Sequence, residues 1–218
     1  MLEITKDMRY CLLLLLFIPF STNAQQGYED AVSLYLKKYV TEHEVVLGAD
    51  KEKMKFYPVN KQYQITAAFE AKENSPWFWM NTSGKEKKQY RVFGVVRFLL
   101  NDTAVTLQVY QSRNLMSSEK YKDYLFIPFT DKTSGIETYG GGRYIDLVLS
   151  DIVNKTCTID FNKAYNPYCA YTAGYNCPIP PKENDLPVAI KAGELNFCLL
   201  YTSPSPRDRT RSRMPSSA

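Results

Sequence analysis

The sequence predicts a mainly β protein, an antiparallel sheet closed as a small barrel or curved sandwich, with one N-terminal helix. Three observations carry this. Apolar residues recur with period two in six or seven short runs between residues 62 and 161. Hairpin-length links join the runs, with no alternation of strand and crossover helix. The chain also holds 17 Tyr and 11 Phe, residue types suited to pleated, half-buried surfaces.

The N-terminus comes first in order. Arg9 precedes an apolar run over residues 11–20, which is of signal-peptide length and too short to span a bilayer. Thr22-Asn23-Ala24 offers small residues for a cut after Ala24. Residues 1–24 therefore read as a signal peptide. The remainder is expected to be exported, periplasmic or secreted, with no stable membrane anchor. Residues 28–43 place Ala31, Leu34, Tyr35 and Tyr39 near helical spacing, with Lys37 and Lys38 on a solvated face. Residues 50–55 are polar and suit a short helix or loop.

The period then changes to two. Residues 62–70 place Tyr63, Ile65, Ala67 and Phe69 on one side of a strand. Residues 77–80 form a second short apolar piece. Residues 89–100 alternate, with Tyr90, Val92, Val96 and Phe98 expected to face one way. Asn101-Asp102 suits a tight hairpin turn, since both residues tolerate positive φ. Residues 103–111 return with Val105, Leu107 and Val109 on one face. Residues 114–121 suit a helical turn or ordered loop. Residues 124–129, 143–149 and 156–161 give three more strands. The Pro-rich stretch CPIPPKENDLPV reads as extended structure lying over the sheet.

Two blocks stand out by their density of Gly, Pro, Asn, Tyr and Cys. They are LFIPFTDKTSGIETYGGGRYIDL (residues 125–147) and DFNKAYNPYCAYTAGYNCPIPPKENDLPVAIKAGE (residues 160–194). Together with FYPVNKQYQITAAFE (residues 56–70) they resemble the family known as domain of unknown function 1684. That resemblance is to a chiefly bacterial family without an established activity, so it implies no catalytic residue. Residues 198–218 do not resemble the family; they look like translated sequencing-adapter sequence. The folded unit is thus expected to be a single β-rich domain over residues 25–197.

The formal charge of +4 belongs mostly to that tail, where Arg207, Arg209, Arg211 and Arg213 face only Asp208. The domain itself is close to neutral, which argues against a nucleic-acid partner. Cys157, Cys169 and Cys177 remain within it. Cys157 alternates with Ile159 and Phe161, as a small buried hydrophobe does. Cys169 and Cys177 suit a small disulfide loop in an exported protein; free thiols or a metal site are the alternatives. Zinc usually takes four ligands, and the chain's one His, His43, lies far away in sequence. No metal and no cofactor is expected.

Two clusters could carry chemistry. Gly140-Gly141-Gly142 lacks the spacing of a dinucleotide or phosphate loop. Its amides, with Arg143, could hold an anion. Glu137 and Tyr139 lie just before it. The structural alternative is a bend in which Glu137 pairs with Arg143. On a strand from Arg143, Tyr144 and Asp146 share one face and Arg143 takes the other. The second cluster is Asp160, Asn162, Tyr165 and Asn166, in which Asp160 and Tyr165 would line a pocket with Arg143. The rival reading is a loop scaffold in which Asn bonds its own backbone. Asn166-Pro167 invites a cis peptide bond. The leading expectation is a domain that binds a small polar or anionic ligand through the Gly-rich loop and Arg143. A hydrolase pairing Glu137 with Asp160 or Asp146 and a structural or partner-binding module are the alternatives. No protein partner can be named.

Overall fold

The structure, a computed structural model, describes residues 20–197, with side chains from residue 25 onward. The expected signal-peptide core and the tail over residues 198–218 lie outside the described residues. Seven strands form one antiparallel sheet: β1 (Gln64–Ala71), β2 (Phe78–Met80), β3 (Lys88–Leu100), β4 (Thr103–Ser112), β5 (Tyr124–Phe129), β6 (Arg143–Val148) and β7 (Thr156–Asp160). The order is β6-β5-β4-β3-β1-β7, with β2 paired to β3. The fold is mainly β as the sequence predicts, and the sheet curves as a half-barrel. Its two edges are joined indirectly. The segment after β7 returns Tyr165 to the free edge of β6, where Tyr144 and Tyr165 exchange backbone bonds of 2.9 and 3.1 Å. That contact occupies part of an otherwise exposed strand edge.

Alternation along the strands makes two apolar layers. One face carries the main core, including Phe69, Val96, Leu107, Ile127, Leu147, Ile159 and Phe161. The other carries a smaller cluster of Met80, Tyr90, Tyr110, Phe126 and Tyr144. A β-bulge between Val92 and Gly94 corrects the expectation for β3. Tyr90 and Val92 pack in the aromatic layer, while Val96 and Phe98 pack in the main core. One extra residue in a strand flips everything beyond it to the other face. Gly94 sits at the bulge because a Cβ there would meet the Phe69 ring at 2.3 Å. The Asn101-Asp102 turn has both φ angles positive, at 48° and 60°, as its hairpin requires.

The helix α1 (Phe20–Glu42) begins before the expected cut and runs across it. Its packed side is offset from the expected stripe: Val32 and His43 are buried and Tyr39 is half-buried, while Ala31 and Leu34 are exposed. Positions 28, 32, 35, 39 and 43 keep helical spacing. Tyr28 anchors that line through its hydroxyl, which donates to Asp160 Oδ1 at 2.9 Å. A single turn α2 (Arg113–Met116) follows β4, and residues 48–53 form a short 3-10 helix. The Pro-rich stretch lies along the sheet as expected. Asn184 Nδ2 donates to the carbonyls of Pro128 (2.7 Å) and Gln108 (3.0 Å). No peptide bond among the described residues is cis, so Asn166-Pro167 is trans, against expectation.

Cys157 is buried in the main core, and Cys169 and Cys177 form the expected disulfide. Replacing both with Ser should lower stability by about 2–3 kcal/mol for a loop this short. Urea unfolding of the double variant beside the wild type measures the difference.

Candidate functional site

The β5–β6 hairpin builds the floor of a cavity on the aromatic face. Asp146 lies directly across from Phe126, and Tyr124 and Tyr144 flank them on the same face. Tyr165 arrives beside Tyr144 through the edge bridge. The helix α1 contributes Tyr35 and Tyr39, His43 follows its last residue, and Tyr168 and Tyr175 come from just before and within the disulfide loop. The cavity is open on one side, its volume is about 520 Å³, and nine of its lining side chains are aromatic. That size and character suit a small organic molecule.

Asp146 is the polar focus. Its Oδ1 accepts the hydroxyls of Tyr124 and Tyr165, both at 2.7 Å. Among the described residues Oδ2 accepts no hydrogen bond and no Lys or Arg pairs with the carboxylate. The side chain is open to the cavity yet has protein round most of it. Desolvation therefore raises its pKa from the ordinary aspartate value, against the two phenol bonds that lower it. The same enclosure holds the Tyr124 and Tyr165 phenols well above their usual range, reinforced by the Asp146 charge. Both tyrosines are thus hydrogen-bond donors at any physiological pH.

His43 sits in the aromatic wall, ringed edge-on by Tyr39, Tyr168 and Tyr171. Its Nδ1 accepts the Val46 amide at 2.9 Å, which places the proton of the neutral ring on Nε2. Burial, followed by the Lys51 charge, lowers its pKa, so the ring is neutral at pH 7.

A second cavity of about 370 Å³ adjoins the first across Tyr35, Asp146 and Tyr165, and Asp160, Thr158, Asp151 and Lys163 also line it. Asp160 is buried and its Oδ2 makes no hydrogen bond. Lys163 Nζ stands 3.7 Å from that oxygen and 5.2 Å from the centroid of the Tyr35 ring.

The residues singled out in the sequence separate into three places. Arg143 is fully buried on the main-core side. It pairs with Asp131 Oδ2 at 2.7 Å, and not with Glu137. Its guanidinium also donates to the carbonyls of Ala192 and Ile190. Glu137 instead accepts the Tyr57 hydroxyl at 2.9 Å and pairs with Lys191 at 3.1 Å. It lines neither cavity with Asp146 or Asp160, so the carboxylate pairs that hydrolysis would need do not form through it. Gly142 (φ 87°) closes a turn on the Tyr139 carbonyl, and a Cβ there would meet Phe129 O and Pro180 Cγ at 2.6 Å. Gly140 and Gly141 are exposed beside it, and the Tyr139 ring covers Gly141.

Asn162 and Asn166 tie chain segments together. Asn162 exchanges bonds with the backbone of Asn60, and Asn166 donates to Glu194 and Leu195. Asp160 and Tyr165 do line a cavity, with Asp146 in the place expected for Arg143. Sequence reasoning placed Asp146 on the right face but passed over Tyr35, Tyr39, Tyr124 and Tyr168; the tyrosine density was the available signal.

Among the described residues no group of three His, Cys, Asp or Glu is placed to hold a metal ion. None of their helices is long and apolar enough to cross a membrane. The family model described as protein of unknown function (DUF1684) matches residues 49–195. An uncharacterised protein of Haloarcula marismortui, known from a solution NMR structure, is 26% identical with a TM-score of 0.60. The match covers 78% of this chain and 95% of that one. No curated protein matches the chain. The chain belongs to the DUF1684 family.

Proposed function

We propose that this DUF1684 member is a small-molecule-binding domain whose site is the tyrosine-lined cavity between the β5–β6 hairpin and α1. One observation carries the reading. A cavity of about 520 Å³ converges on a carboxylate that has an uncommitted oxygen. Binding sites commonly combine an apolar, aromatic lining with a few placed polar groups. The ligand is small and polar, as the sequence suggests, but the residues that meet it are Asp146, Tyr124 and Tyr165. Arg143 and the glycine turn hold the backbone behind them. The disulfide wall of the cavity supports residence in an oxidising compartment, in keeping with export.

A thermal-shift screen tests the reading with sugars, phosphates, carboxylates, amines and divalent metals. A true ligand at one hundred times its Kd adds about 2.7 kcal/mol to stability by mass action. The response should vanish in Leu115→Trp, which adds bulk at the cavity lining and leaves Asp146 itself unchanged. A melting temperature that no compound raises, or one raised equally in Leu115→Trp, would remove the cavity as the site.

A further inference from the structure

We infer that the ligand of this cavity is an organic cation, a substituted ammonium held in the tyrosine cage against Asp146. The inference rests on the cavity being the binding site and adds the ligand's charge and class.

Charge supplies the first argument. Glu42, Glu44, Asp146, Asp151 and Asp160 line the two joined cavities against only Lys88 and Lys163. His43 adds no charge at neutral pH. An anion entering here would meet a surplus of like charge in a partly desolvated space, whereas a cation is drawn in.

The second argument is the contrast between the two cavities. In the smaller one the chain supplies its own ammonium. Lys163 lies over the Tyr35 ring at 5.2 Å and beside Asp160 at 3.7 Å. In the larger one the same kind of surroundings recur around Asp146, with more aromatic surface and, among the described residues, no paired cation. Lys88 lines that cavity too, but it does not pair with Asp146. The place taken by Lys163 on one side is open on the other.

Ring chemistry is the third argument. The faces of Tyr rings carry negative potential that attracts ammonium groups within about 6 Å, and cages of several rings recognise alkylated ammonium. An alkylated ammonium needs no hydrogen-bond acceptors, only a counter-charge and polarisable walls. Asp146 fits that role. Its Oδ1 is fixed by two phenols, and Oδ2 carries no hydrogen bond of its own among the described residues.

Calorimetric titration with matched probes decides the matter. Choline is paired with its neutral carbon isostere 3,3-dimethylbutan-1-ol and the anion 3,3-dimethylbutanoate, and benzyltrimethylammonium tests a larger guest. The wild type should bind at least one of the cations about tenfold more tightly than the neutral isostere. The anion should bind more weakly still. In Asp146→Asn, with its fold checked by circular dichroism, the preference should fall below about twofold. Tyr165→Phe removes one phenol but keeps the charge, so it should retain the preference and serves if Asp146→Asn does not fold. Equal binding of choline and its neutral isostere would overturn the cation inference while leaving the cavity as a binding site. Absence of binding by both cations, with neutral or anionic compounds shifting the wild type in the screen, would overturn it as well. Failure of every probe and every screened compound would remove both readings.

Discussion

Asp131→Ala is expected to destabilise the domain by about 3–5 kcal/mol, the largest single effect the structure implies. The substitution removes the one carboxylate that pairs directly with the buried Arg143 guanidinium among the described residues. Both side chains are fully inaccessible to solvent, so water cannot replace what is lost. Asp131 also organises its own turn. Its Oδ1 accepts the backbone and hydroxyl of Thr133 at 2.7 and 2.6 Å and the Ile190 amide at 3.3 Å. Removing it therefore opens several donors at once. The double variant Asp131→Leu with Arg143→Met should be much closer to the wild type, because apolar replacement of a whole buried pair is often neutral. Urea unfolding of the three proteins checks this. A loss below 1 kcal/mol in Asp131→Ala would mean that Arg143 finds water.

The second large effect depends on pH. Glu194 is buried behind the cavity wall, and burial lifts its pKa to about 7, against the bonds from the Asn166 amide and the Tyr171 hydroxyl and the attraction of Arg143. An ordinary glutamate titrates near 4.5. The folded state thus holds this proton more tightly than the unfolded chain does. Its contribution is complete below about pH 4.5 and declines as pH rises toward 7. By linkage the decline is about 3 kcal/mol across that window. Glu194→Gln should flatten it. Urea midpoints of the wild type and the variant at several pH values between 4.5 and 8 measure the slope. Parallel curves would show that Glu194 stays ionised when folded. The Tyr171 hydroxyl that donates to Glu194 at 2.6 Å also touches the hydroxyl of Tyr39 at 3.4 Å. The titration therefore sits two hydroxyls away from the cavity.

The strands were legible because alternation reports which side of a pleat is dry. β5 occupies the residues its pattern marks, and β4 and β6 end within one residue of theirs. The half-buried Tyr39 was legible as part of the helical face for the same reason. The bulge at Gly94 was hidden, since a glycine inside an alternating run does not announce that the phase flips beyond it. The role of Arg143 was hidden for a different reason. A Gly-Gly-Gly-Arg motif looks like an anion loop when only neighbours in sequence are weighed. Its carboxylate partner, Asp131, lies twelve residues upstream on the far side of the hairpin connection. The disulfide was legible because its loop is local. The cavity was not, because it assembles Tyr35, Tyr124, Tyr144 and Tyr165 from parts of the chain up to 130 residues apart, and each tyrosine alone is an ordinary core or edge residue.

The central claim is that an organic cation sits among these tyrosines against Asp146. Intermolecular nuclear Overhauser effects between the N-methyl protons of bound benzyltrimethylammonium and the protein's ring protons test it most directly. The account predicts contacts to Tyr35, Tyr39, Tyr144 and Tyr165 in the wild type, and their loss in Leu115→Trp. Contacts confined to the glycine turn around Tyr139, or unchanged in Leu115→Trp, would contradict it.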